Sequence, residues 1–109
     1  MKESRNVEFI VGGFLYTFVC IFDSHAQLRE FERNITFERF VDALKESVDE
    51  IIEDGRINGK SLFRWKEAGL SLALDITEYD EGRPIEIVVD TVMNFYKRNP
   101  HFGDLVHDF

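Results

Sequence analysis

The stretch Val7-Glu8-Phe9-Ile10-Val11-Gly12-Gly13-Phe14-Leu15-Tyr16-Thr17-Phe18-Val19-Cys20-Ile21-Phe22 decides how this chain begins to fold. Val7, Phe9 and Val11 alternate before the glycine pair, and Phe14, Tyr16, Phe18, Cys20 and Phe22 alternate after it. Each half therefore carries one apolar face at the two-residue period of a strand. Gly12-Gly13 supplies the positive φ angles of a tight turn, so the stretch predicts a β-hairpin. Its longest apolar run, Phe14 to Phe22, is about half the ~20 residues that a membrane span needs, and Thr17 interrupts it.

Outward from the hairpin the period changes at Asp23-Ser24, either of which can cap a helix. Leu28, Phe31 and Ile35 follow at spacings of three and four, which predicts a short amphipathic helix from Ser24 to Asn34. Thr36 is a suitable cap for a second helix. Its apolar face is Phe37, Phe40, Val41, Leu44, Val48, Ile51 and Ile52, and residues 49–54 stay open between helix and strand. Asp54-Gly55 and Asn58-Gly59 read as turns. Leu62 to Lys66, Leu70 to Glu78 and Ile85 to Phe95 then read as three strands, with Ile85, Ile87, Val89, Thr91, Met93 and Phe95 on one face. The expectation is an α+β domain over residues 1–96. It has an antiparallel sheet of about five strands, an N-terminal hairpin plus a C-terminal three-stranded meander, with two helices packed on one face. Residues 97–109 are expected to be a loosely held tail.

Length and charge bound what such a domain does. A chain of 109 residues makes one domain with one core. Thirteen Lys plus Arg against 21 Asp plus Glu give a net charge of −8, which argues against a nucleic-acid coat protein or a binder of anionic membranes and disfavours RNA as a partner. The single cysteine, Cys20, excludes an internal disulfide and reads as a small buried core residue. Glu3, Glu8 and Gly12-Gly13 break any signal-peptide core, so the reading is a cytoplasmic protein. No cofactor is expected.

The start of the helical part reads Ser24-His25-Ala26-Gln27-Leu28-Arg29-Glu30-Phe31-Glu32-Arg33-Asn34-Ile35-Thr36, followed by Val41, Ala43 and Leu44. It resembles the pattern S-x-H-A-x-x-R-x-x-E-R-x-I-[ST] of a family of small bacterial and phage domains related to the RelE/ParE toxin superfamily, including BrnT-like toxins. The strand Ile87 to Met93 matches the "viTv"-like strand of that family. The chain lacks the residue between Ser and His, and it has Asn34 where the family tends to have Gly. The resemblance implies a toxin–antitoxin component. In toxin members this means a metal-independent endoribonuclease held off by a cognate protein, and His25, Arg29 and Arg33 match the motif.

The chemistry of those residues fits the expectation. At spacings of four, His25, Arg29 and Arg33 form one stripe on a helix, turned away from the apolar stripe toward solvent. Metal-free RNA cleavage needs a base, an acid and cations around the phosphorane, and one His with two Arg can serve. The plainer reading is a first-turn polar histidine, with Arg29 and Arg33 paired to Glu32 and Glu30. Arg64 and Lys66 extend a candidate substrate-binding, phosphate-facing surface. His101, Asp104, His107 and Asp108 offer metal-ligand types within eight residues, but Pro100 and Gly103 speak for a solvated tail, and no metal site is expected.

Asp42, Glu46, Asp49, Glu50 and Glu53 recur at spacings of three and four on the second helix. They are a candidate partner-binding face in a non-catalytic acidic interaction protein of antitoxin, immunity or phage-inhibitor type, taking a basic protein partner. Edge strands at both ends of the sheet leave room for a homodimer. The charge is uneven: residues 38–54 hold seven acids and two bases, and residues 75–90 hold six acids and one base. The remainder is therefore +2 and contains His25, Arg29, Arg33, Arg64 and Lys66.

Overall fold

In a computed structural model that describes residues 2–53, 59–79, 83–100 and 105–109, the hairpin forms as β1 (Glu3–Val11) and β2 (Phe14–Phe22). All nine residues of each strand pair, from Glu3 with Phe22 to Val11 with Phe14. Gly12 and Gly13 take φ of +59° and +83°, a conformation that side chains with a Cβ rarely adopt. The remaining elements are α1 (Ser24–Glu32), α2 (Phe37–Glu53), β3 (Gly59–Trp65), β4 (Leu70–Thr77), β5 (Ile85–Met93) and β6 (Leu105–Asp108). Residues 49–53 are helical, while the Asp54-Gly55 and Asn58 turn signals lie outside the described residues.

The α+β class holds, but the sheet is six-stranded and mixed, in the order β1-β2-β5-β4-β3-β6. β5 pairs parallel to β2, and β6 pairs parallel to β3. The parallel β2–β5 pair follows from the chain path. The chain crosses from β2 through two helices before starting β3, and two antiparallel reversals then return β5 in the direction of β2, beside which it docks. The segment expected as a loose tail instead carries β6. No helix among the described residues is long and apolar enough to cross a membrane.

One face of the sheet carries Phe18, Cys20, Phe22, Ile87, Val89, Leu74 and Phe63, and the core forms between it and Phe40, Leu44, Val48 and Ile51 of α2. A bulge alters the strand pattern read from sequence. Leu74 pairs with Val89 and Ala73 with Thr91, so Asp90 is an extra residue on β5. The alternation therefore shifts, and Val92 rather than Thr91 continues the buried face.

α1 departs further from its pattern. Asp23 caps it, its carboxylate accepting from the Ala26 amide at 2.8 Å, and Asn34 ends it with φ of +53°. Leu28 and Phe31 nevertheless stay outside, Phe31 at 85% exposure, and Ala26 is the buried residue of the helix. β2 pairs with β5 only as far as Val89, and α1 runs beside the rest of β5. There it turns Ala26, Glu30 and Arg33 inward, and the last two find polar partners rather than apolar ones.

Candidate functional site

The stripe His25, Arg29 and Arg33 does not converge on one cavity. His25 is exposed in the first turn of α1. Arg29 pairs with Glu32 at 2.8 Å on the surface. Arg33 turns inward, its Nη1 donating to the Val92 carbonyl at 2.6 Å and to Thr91 Oγ1 at 3.4 Å. A guanidinium on a half-buried carbonyl anchors α1 to β5 and is occupied by that task. The predicted Arg33–Glu30 pair is absent because Glu30 binds Arg5 at 2.7 Å. Arg5 also meets Glu3 at 2.6 Å and lies 4.1 Å over the Phe22 ring. The hydrogen bond that Arg5 donates to Glu30 leads the effects that push the Arg5 pKa up.

Beside Arg5 a groove of about 740 Å³ opens between the start of β1 and the end of α1, with Glu30, Phe31, Ile35 and Phe37 on its wall. Nothing in the sequence ties Arg5 to Glu30, 25 residues away. Arg39 likewise carries no signal in the sequence, and it bridges three segments: Nη1 donates to Asn94 Oδ1 at 2.7 Å and Nη2 to the Ala68 carbonyl at 2.9 Å.

Arg64 and Lys66, expected on one exposed strand face, separate. Lys66 lies in the turn after β3, whereas Arg64 grips Asp108 through Nε and Nη2, both at 2.7 Å, and donates to the Lys97 carbonyl at 2.8 Å. That bond holds the Asp108 carboxyl below its usual range. Its neighbour His107 lies 3.6 Å from Glu50 and stacks on Phe63, and Phe109 stacks on Trp65 at 5.0 Å between ring centres. His101 and Asp104 lie outside the described residues. Among those described, no three His, Cys, Asp or Glu side chains cluster as metal ligands.

On the sheet face opposite the helices, a cavity of about 270 Å³ is lined by Lys60, Lys97, Asp90, Thr91 and Met93. Burial there pushes the Asp90 carboxyl up, against the pull of Lys60. Cys20 is fully buried, and desolvation pushes its thiol up to about 12, which leaves it inert rather than nucleophilic.

The acidic residues of α2 whose side chains are described lie on its outer side. Asp42, Glu46, Asp49 and Glu50 are all exposed, with Lys45 among them, while Ala43, Leu44, Ser47, Val48 and Ile51 of the same helix are buried. Among the described residues, Asp42, Glu46 and Asp49 have no ion-pair partner, and Glu50 has only His107 nearby. The side chain of Glu53 lies outside the described residues. Comparison with protein families, with curated proteins and with solved structures finds no match to this chain.

Proposed function

We propose that this chain is a non-catalytic interaction protein that takes a basic protein partner on the outward face of α2. The observation that carries this reading is the state of Asp42, Glu46 and Asp49: exposed, unpaired among the described residues, and held on a helix whose other face is locked into the core. Carboxylates presented by a rigid helix bind cations without first breaking an ion pair, and they steer a basic partner from a distance. The antitoxin, immunity and phage-inhibitor class fits this chemistry. The RelE-like ribonuclease stands second, because it needs Arg33 at a phosphate and Arg33 is engaged with the Val92 carbonyl.

Two measurements separate the readings. Titration with a lysine-rich peptide should show binding that weakens as salt rises, since the screening length falls from about 10 Å at 0.1 M to about 3 Å at 1 M. Asp42→Lys/Glu46→Lys/Asp49→Lys should abolish it. If the peptide binds the triple variant as well as the native chain, the α2 reading is lost. Induced expression in bacteria tests the other reading through transcript integrity, with His25→Ala/Arg29→Ala as the variant that leaves the Arg33 anchor in place. Transcript cleavage by the native chain that this variant loses would restore the toxin reading.

A further inference from the structure

The free edge of β1 offers a second surface, independent of the α2 reading. β1 is an outermost strand nine residues long, without proline, bulge or register shift, and no described strand pairs with its outer side. Such an edge presents a row of unpaired N–H and C=O groups that templates another strand. The usual blocking devices are weak here. The inward charge at Arg5 is consumed by Glu30 and Glu3, and the hairpin end is apolar, with Ile10, Phe14 and Leu15 exposed to 75%, 69% and 62%. β2 joins β5 only at Phe18 to Phe22, so this end projects beyond the sheet.

We propose that the occupant is a second copy of this chain, with the two β1 strands antiparallel about a two-fold axis at Val7. Three features favour this arrangement. First, Val7 is the midpoint of Glu3–Val11, so this register alone pairs all nine residues. Second, a two-fold through a residue pairs odd positions with odd and even with even, which keeps both helix layers on the same side of a continuous twelve-stranded sheet. Third, this register keeps like charges apart. An axis at Arg5 or Glu8 would set like charges face to face, whereas an axis at Val7 sets Asn6 opposite Glu8 of the second copy, twice, on the open face. The same register brings the hairpin end of one copy beside the start of β1 of the other. Val11 then faces Glu3 at the mouth of the groove lined by Phe31 and Phe37, and Ile10 faces Ser4, next to Ile21.

The test combines mass with a register-specific cross-link. Light scattering up to the solubility limit should report twice 12.8 kDa. Asn6→Glu sets carboxylates opposite each other at both symmetry-related positions and should raise the dimer dissociation constant roughly 2- to 30-fold, while Asn6→Glu/Glu8→Lys should restore it. All four side chains involved are exposed, so circular dichroism should report an unchanged fold. Under mild oxidation Val7→Cys should cross-link, because paired strands hold facing Cα atoms roughly 4.5–5.5 Å apart, within disulfide range. Glu8→Cys should not, and neither should the native chain, whose Cys20 is buried. A native mass of 12.8 kDa at every concentration, or a cross-link at Asn6→Cys in preference to Val7→Cys, would overturn the proposal.

Discussion

The two edges of the sheet are built in opposite ways. The β1 edge comes from a hairpin of adjacent residues, joined by a two-glycine turn and paired along its whole length, so its register is set by a local turn. The β6 edge comes from a four-residue strand that reaches β3 after crossing the sheet. It is held by contacts distant in sequence: Arg64 on Asp108, the Tyr96 hydroxyl on Asp108 at 3.1 Å, and Phe109 on Trp65. A local edge can stay long and bare, whereas a non-local edge is short and stapled. The difference matters for function, because a bare edge of nine residues offers another strand a longer row of unpaired backbone groups than one of four.

The largest expected effect that tests this contrast is at the stapled edge. Trp65→Ala should cost about 3–5 kcal/mol in urea unfolding, because a buried indole and the ring stack on Phe109 are lost together. Leu15→Ala at the hairpin end should stay within about 0.5 kcal/mol. Equal losses would erase the distinction. Phe109→Ala comes next, at about 1–2 kcal/mol, and should appear as faster amide exchange in β6 while β1 and β2 keep their protection.

Acid should loosen the same edge selectively. The Asp108 carboxyl is depressed when folded, so its contribution is present above the ordinary carboxylate value of 3.8 and is lost as pH falls through the lower folded value. The β6 amides should lose protection in that window before those of β2, and simultaneous loss would break the comparison. Cys20 gives the smallest effect, one strand inside the bare edge. A thiol probe should leave it unmodified at neutral pH. Because burial raises its folded value, any stability tied to it should fall only as pH climbs from 9.0 toward 12. Reaction at neutral pH would mean that the hairpin opens away from the sheet.

Legibility in the sequence follows the same division. The hairpin, a cap at Asp23-Ser24, the start of α2 and the burial of Cys20 depend on neighbours a few residues away and were readable, whereas the run of α2 through residues 49–53 stayed open between helix and strand. The five-strand antiparallel sheet failed because strand direction depends on which segment β5 and β6 meet after long excursions. The outward stripe of α1 failed for a related reason. Periodicity marks Leu28 and Phe31 as core, but α1 lies beside β5, where the groups to be satisfied are the Val92 carbonyl and the Arg5 guanidinium. Polar Arg33 and Glu30 therefore took the inside. The acidic positions of α2 were readable because exposed charge on a helix opposite an apolar stripe needs only that stripe to be placed.

Sequence by itself determined the first five strands and the two helices, though not β6 or the end of α2, together with the apolar faces of β1, β2 and α2 and the −8 charge with its concentration on α2, because these are set by spacing and composition. Tertiary structure decided the mixed sheet and which edge is stapled. It also decided which charges remain available: Arg5, Arg33 and Arg64 are held by Glu30, Val92 and Asp108, while Asp42, Glu46 and Asp49 stay without an ion-pair partner among the described residues. The physical reason is that a charge is committed or free according to what lies within hydrogen-bond reach. For each of these three arginines that group lies between 25 and 59 residues away along the chain.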